Sequence, residues 1–534
     1  MVYSLRFIVY SLQMITKINN KNRARTFMAR VFYLLLLSLL LPSFLLLSSS
    51  CHNASVPTQF TDIKKAPHIY PDYVDVTIPV NIAPLTFEME DSCDEVVARF
   101  KVDGYELVCG GQVVQPEMAD WRELVNKAVG KAVNVEVFIR LDQEWWRYKP
   151  FHITVSPDSI DPYISYRLIS PSYVAYEELT LNQRCLENYD EQVMVNNMLC
   201  GKETTGQCVN CHNYQSYNPQ RMQFHARQFH GGTVIAYDGK LSKINMRNDS
   251  ILSAGVYPAW HPRLPLIVYS TNKTSQSFHT RNANRIEVFD AVSDLIAYDV
   301  KKNEVTNLEN DVSEFEVFPV WAPDGKTLYY CSAHFEFLDT VSHDVEVVRR
   351  YDEVKYNIYK KSFDPDTYQF GPRELVFQAD SLDRSATLPR ISPDGRYLMF
   401  TMGHYGVFHI WHREADLYLL DLTSGQIRAM DEINSPETES YHAWSSNGRW
   451  VVFSSRRDDG SYTRPFFAHI DANGKGSKPF ELPQADPDYH RQFMKCYNIP
   501  EFMRGPVEVT PQEFASVLKA SDGEPVKYVQ KLSK

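Results

Sequence analysis

The chain has 534 residues, with 66 acidic against 55 Lys and Arg side chains and a net charge of −11. That length suffices for two or three domains with proper cores, and the acidic balance argues against nucleic acid or an anionic membrane face as partner. Aromatic side chains make up 13%, and 30 prolines and 22 glycines are present, which favours β architecture with many turns.

Residues 1–50 read as an export signal. Arg6, Lys17, Lys21, Arg23, Arg25 and Arg30 lie in a stretch without an acid, an apolar run covers 31–47, and Ser48-Ser49-Ser50 leads into Cys51. A basic flank, an apolar core and small residues before the cysteine describe a cleaved signal. The run is shorter than the roughly 20 residues that cross a bilayer. The arrangement resembles a bacterial lipoprotein signal, with Ser48 where that signal usually carries leucine. The resemblance implies a lipid on Cys51 and a periplasmic or outer-membrane location. Residues 51–66 are then a polar tether.

In 67–165, Val74, Val76, Ile78 and Val80 alternate with polar positions, the period of a half-buried strand. Several such strands, and a helix marked by Trp121, Leu124, Val125 and Ala128 and ended by Gly130, predict a small β-sandwich-like domain with its own core. Residues 166–207, rich in Tyr, Asn and Glu, read as a connector.

Cys208-Val209-Asn210-Cys211-His212 follows. This spacing is the attachment signature of a c-type haem: Cys208 and Cys211 would each carry a thioether, and His212 would be the proximal iron ligand. A redox dithiol lacks its βαβ context here, and a zinc ribbon lacks its second Cys-x-x-Cys. One covalent haem c is therefore expected. For the distal ligand, alternation along 221–227 puts Met222, Phe224 and Ala226 on one face and Gln223, His225 and Arg227 on the other. His225 ranks first and Met222 second; His230, beside Gly231-Gly232, and Met503 are further candidates. Of the remaining cysteines, Cys93 with Cys109 and Cys185 with Cys200 are the local disulfide pairs, while Cys331 lies in an apolar strand.

From residue 208 to 484 the chain repeats. Trp321-Ala322-Pro323-Asp324-Gly325, Ile391-Ser392-Pro393-Asp394-Gly395 and Trp444-Ser445-Ser446-Asn447-Gly448 each lead from one strand through a tight turn into an apolar strand ending in Ser or Thr. Ala259-Trp260-His261-Pro262 opens a fourth such unit, and Asn218-Pro219-Gln220 stands at the same turn after the haem motif. Strands repeated in fours predict a β-propeller. These repeats, with Ala415-Asp416-Leu417-Tyr418-Leu419 after the second, resemble the TolB-type, WD-repeat-like propeller family, whose members act as docking platforms, peptidase gates and enzymes. The expected fold is all-β, a small β-sandwich followed by a five- or six-bladed β-propeller that carries the haem motif on its first blade. Residues 485–534 form a tail whose helix starts at the capping box Thr510-Pro511-Gln512-Glu513.

No Gly-x-Ser-x-Gly, phosphate loop or His-Glu-x-x-His occurs in the sequence, so no catalytic residue is assigned. His404, His409 and His412 read as structural. The expected function is a cell-envelope lipoprotein that transfers electrons or docks a redox partner protein, anchored to the membrane by lipid and binding no nucleic acid. The alternatives are a non-catalytic interaction propeller with structural haem, or a haem peroxidase-like enzyme.

Overall fold

The computed structural model describes residues 54–171, 177–201, 206–338 and 341–533; the export signal and Cys51 lie outside them. The chain is all-β, with its sheets in a propeller arrangement. Five antiparallel meanders of four strands follow one another, and their first strands are Gln207–Gln215, Val256–Trp260, Glu314–Trp321, Ser385–Ile391 and Glu439–Trp444. A further four-stranded sheet joins distant parts of the chain. Its strands Tyr163–Ile169, Thr180–Cys185 and Glu191–Asn196 precede the first meander, and Cys496–Met503 pairs antiparallel with the first of them. The innermost strands stand side by side, each beside the next, and Cys496–Met503 also neighbours Gln207–Gln215. The segment read as a connector is thus sheet, and the tail contributes a strand as well as its helix.

The repeat turns are built as their residues require. Gly325, Gly395 and Gly448 take left-handed φ of 69°, 77° and 69°. The side-chain oxygens of Asp324, Asp394 and Asn447 accept the backbone N–H two residues on, at 2.8, 3.0 and 3.0 Å, which closes each turn as an Asx-turn.

Residues 67–165 do not form the expected two-sheet sandwich. They contribute six strands to one seven-stranded sheet, whose seventh, Thr61–Asp62 from the segment read as a tether, is a parallel edge strand. The second layer is a helix: Met118–Lys127 buries Trp121, Leu124 and Val125 against Val96, Ala98 and Phe100. The same core takes in Trp450, Val452, Phe467 and Phe480 of the propeller, so the two regions share apolar packing instead of holding separate cores.

No disulfide forms among the described cysteines. The two local pairs expected are taken up elsewhere: Cys109 stands opposite Ala98 and Cys185 opposite Tyr163, and the Cys200 thiol donates to the Ala515 carbonyl at 3.7 Å. Ala515 belongs to the tail helix Pro511–Ala520, whose capping box is made by Thr510 and Glu513. That helix buries Phe514 against Phe224, with ring centroids 5.3 Å apart. Lys243 Nζ donates to the carbonyls of Leu518 and Ser521, both at 2.8 Å, satisfying acceptors that a helix end leaves open.

Where the N-terminal segment meets the propeller, a buried acid contributes to the pH response. His490 Nδ1 lies 2.5 Å from Glu481 Oε1. Burial pushes Glu481 up to about 8 and Asp458 up to about 7, and pushes His490 down to about 3. At neutral pH the Glu481 carboxyl therefore keeps its proton and donates it to a neutral imidazole. Both acids lie above their unfolded values of about 4, so folding binds protons. Their contribution is full below about pH 4 and is lost as pH rises through 7 and 8, at most about 1.4 kcal/mol per pH unit for each group. Urea unfolding should show wild-type stability falling between pH 6 and 9, and Glu481→Gln, which keeps a neutral donor, should flatten that fall. An unchanged slope in the variant would refute the assignment.

Candidate functional site

The innermost strands break at corresponding points. Pairing skips two residues between 210 and 213, 256 and 259, 317 and 320, 387 and 390, and 440 and 443, and it shifts in Cys496–Met503 between 498 and 501. The first residue of each break has left-handed φ: Cys211 56°, Tyr257 47°, Phe318 54°, Leu388 55°, Tyr441 47° and Ile499 54°. Such φ is costly for a side chain with a Cβ, most of all for the β-branched isoleucine, and the surrounding sheet must hold it. The residues that follow are Pro258, Pro319, Pro389 and Pro500 in four strands and His212 and His442 in the other two. His212 thus occupies a position of the repeat that is mostly proline.

This placement decides how the haem motif is used. On a helix, cysteines three apart share a face; in a strand, residues three apart face opposite sides. Gln207–Gln215 is a strand. Cys208 packs with Met222, Phe224 and Phe514, whereas Cys211 lines the propeller axis. The space beside His212 is about 40 Å³, bounded by Tyr257, Phe318, Leu388, Tyr441 and Ile499. As folded it is smaller than a porphyrin, while both ring nitrogens of His212 are buried without a hydrogen-bond partner among the described residues. Burial first, then the Arg167 charge, pushes His212 down to about 3, so the imidazole is neutral.

The expected distal ligands do not meet His212. Met222 is fully buried between the first meander and the tail helix, and Met503 lies in the same cluster. His225 Nδ1 lies 3.0 Å from Thr233 Oγ1, and with His230 it lines an outer groove. His409 bonds Thr387 Oγ1 at 2.9 Å and His412 bonds Glu287 at 3.1 Å, both holding neighbouring segments together.

On the side of the residues preceding the breaks, the axis opens into a cavity of about 220 Å³. Arg167 and Arg227, from two different sheets, and Arg456, just past the strand Trp450–Ser455, line it together with the amides of Asn210 and Asn498. Among the described residues, no Asp, Glu or Lys lines it. Arg167 is 5% and Arg456 8% exposed. Among the described residues, Nε and Nη1 of Arg167, Nε of Arg456 and Oδ1 of Asn210 are buried without a hydrogen-bond partner. The Arg456 guanidinium lies 4.0 Å from the Trp411 ring, a stacking that favours a charged planar group.

A long hairpin roofs the cavity. Strands Leu266–Phe278 and Ile286–Asp299 extend beyond their sheet neighbours, and Thr274, Gln276 and Val288 face the cavity with Phe408 and Trp411. The roof is tied down by Glu287, which holds His412 and also accepts from the Tyr405 hydroxyl at 3.2 Å. Oδ1 of the Asn284 side chain accepts the Arg413 backbone N–H at 3.0 Å.

Of the three arginines only Arg227, beside His225, stands out in the sequence; Arg167 falls in the segment read as a connector. The available signal was Arg167 inside the apolar strand Tyr163–Ile169, since a buried guanidinium demands a partner.

No family model matches the chain, and no curated protein matches it. Solved structures resemble it at low identity. One, from a study of two prolyl endopeptidases, is 11% identical over 61% of this chain and 42% of that chain, with a TM-score of 0.30. A DUF4784 family protein from Bacteroides caccae is 8% identical over 68% of this chain and 94% of its own, with a TM-score of 0.27. The chain spans less than half the length of the prolyl endopeptidase. The Swd1 β-propeller domain from Myceliophteria thermophila is 10% identical over 62% of this chain and 90% of that one, with a TM-score of 0.27.

Proposed function

We propose that this chain is a six-bladed binding propeller that takes a ligand in its axial cavity and carries no haem. The ring of innermost strands, closed where Cys496–Met503 meets Gln207–Gln215, supports the blade count. One observation carries the functional reading: the axial cavity beside Arg167, Arg227 and Arg456 is open, about 220 Å³, while the space at His212 is about 40 Å³. Cavities on the axis of a rigid ring are natural binding places, and roofing by a hairpin suits a ligand that is enclosed. The export signal and the lipid on Cys51 belong to the same proposal and put the propeller at the cell envelope.

The rival reading is covalent haem and electron transfer, which rests on the Cys-x-x-Cys-His spacing. Expression with the haem-maturation machinery separates the two. A denaturing gel stained for haem should show no band at this protein's mass. A band that disappears in the Cys208→Ala, Cys211→Ala double variant would overturn the binding-propeller reading in favour of the cytochrome. Fractionating the same cells tests the anchor: the protein should sediment with membranes, and Cys51→Ser should release it. A pellet-bound Cys51→Ser protein would refute lipidation.

A further inference from the structure

We propose that the axial cavity binds a small organic carboxylate, its carboxylate held by Arg167, Arg227 and Arg456 and its apolar body against Phe408 and Trp411. The proposal rests on the binding-propeller reading above and deepens it.

The charge distribution comes first. The chain has a net charge of −11, yet among the described residues three arginines and no acid line the cavity. Bringing three guanidinium groups to one enclosed place costs mutual repulsion and desolvation. Proteins repay such a cost with a partner charge. Buried Asp290, which accepts from the Asn272 amide and the Thr274 hydroxyl, both at 2.6 Å, feels the Arg227 charge; for Arg167 and Arg456 no acid among the described residues lines the cavity. Two of the three arginines are more than nine-tenths buried and carry unused donors, so the site is built for an anion before one arrives.

The shape of the group follows from the donors. Arginine forks match planar carboxylates two bonds at a time. The rest of the wall is Ile169, Val288, Phe408, Ile410 and Trp411 with a few amides and hydroxyls. No lysine and no α-helix lines the cavity among the described residues, whereas a dedicated phosphate site would commonly provide a helix N-terminus. An apolar or aromatic body bearing one carboxylate satisfies both parts of the lining.

The test uses the purified protein with benzoate as probe, beside its neutral isostere benzamide and phenyl phosphate. Calorimetric titration and the shift in thermal midpoint are both read. Benzoate should saturate, with benzamide at least about tenfold weaker. Arg167→Met and Arg456→Met should each weaken benzoate by about tenfold or more while leaving the unliganded melting curve cooperative. Should either variant fail to fold, the wild-type comparison of benzoate with benzamide decides alone. Equal binding of benzamide, no saturation by benzoate, or unchanged affinity in both variants would overturn the carboxylate assignment. Phenyl phosphate binding about tenfold tighter than benzoate would overturn it in favour of a phosphate site. None of these results produces covalent haem, so the binding-propeller reading fails separately, on the haem stain.

Discussion

A chain truncated after Pro483 should lose its cooperative unfolding transition altogether. The repeats end there, and a propeller made only of repeats would survive the cut. Instead the cut removes Cys496–Met503, the innermost strand paired with Tyr163–Ile169. It also removes Tyr497, Phe502 and Met503, none more than 1% exposed, and Phe514 and Leu518 of the tail helix. Burial of each large apolar side chain is worth about 1.5–3 kcal/mol, so the five together approach or exceed the ~5–15 kcal/mol by which whole domains are stable. The exposed edge of Tyr163–Ile169 would then be open to pairing with other chains. Circular dichroism melts and size-exclusion chromatography check this. A sharp melt of a monomeric truncated chain, close to that of the full protein, would show that the closing strand is dispensable.

The same strand explains what the sequence could and could not tell. Four sheets announce themselves because Trp321-Ala322-Pro323-Asp324-Gly325 and its counterparts force a turn of one kind at one spacing, whatever the tertiary context. The closing sheet has no such turn between its two parts, which lie 340 positions apart in the register of Tyr163 with Met503. Only the ring brings them together. The N-terminal region shows the reverse limit: period-two alternation marks each strand but is silent on whether the layer across the core is a second sheet or, as here, the helix Met118–Lys127.

The haem motif is the sharper lesson. Cys208, Cys211 and His212 have the attachment spacing, and spacing is all that a pentapeptide contains. Its chemistry depends on the backbone carrying it, because a helix presents cysteines three apart on one face and a strand presents them on opposite faces. Here the motif lies on a strand with Cys211 at φ 56°, and the counterpart of Cys211-His212 one sheet back from the closing sheet is Tyr441-His442. Aligning the six breaks, which requires the closing strand, is what exposes the motif as part of a repeat. The arginines escaped for a related reason: Arg167, Arg227 and Arg456 lie far apart in sequence and converge only when the ring closes.

Trp450→Ala should destabilise the protein by about 3–5 kcal/mol, the largest loss expected from a single substitution outside the axis. Trp450 is fully buried in the strand Trp450–Ser455. It packs edge-on against His469 and Phe480, with centroids 5.0 and 6.3 Å away. Its indole N–H donates to the Asp158 carbonyl at 3.0 Å. Asp158 Oδ2 in turn lies 2.9 Å from His469 Nε2, and Asp161 accepts from the backbone N–H and hydroxyl of Ser446 at 2.6 and 2.7 Å. The segment joining the N-terminal sheet to the propeller is therefore stitched around this one ring. Truncation leaves a large cavity in the core that the two regions share and strips the Asp158 carbonyl of its donor, a further loss of about 1–3 kcal/mol if water cannot replace it. Trp450→Phe keeps most of the packing and loses the N–H, so it should cost only about 1–2 kcal/mol. Urea unfolding monitored by circular dichroism reads both, as a lower midpoint at unchanged slope. A loss below about 1 kcal/mol for the alanine variant would mean that the two regions are stable independently, and the shared core would have to be abandoned as the reason they hold together.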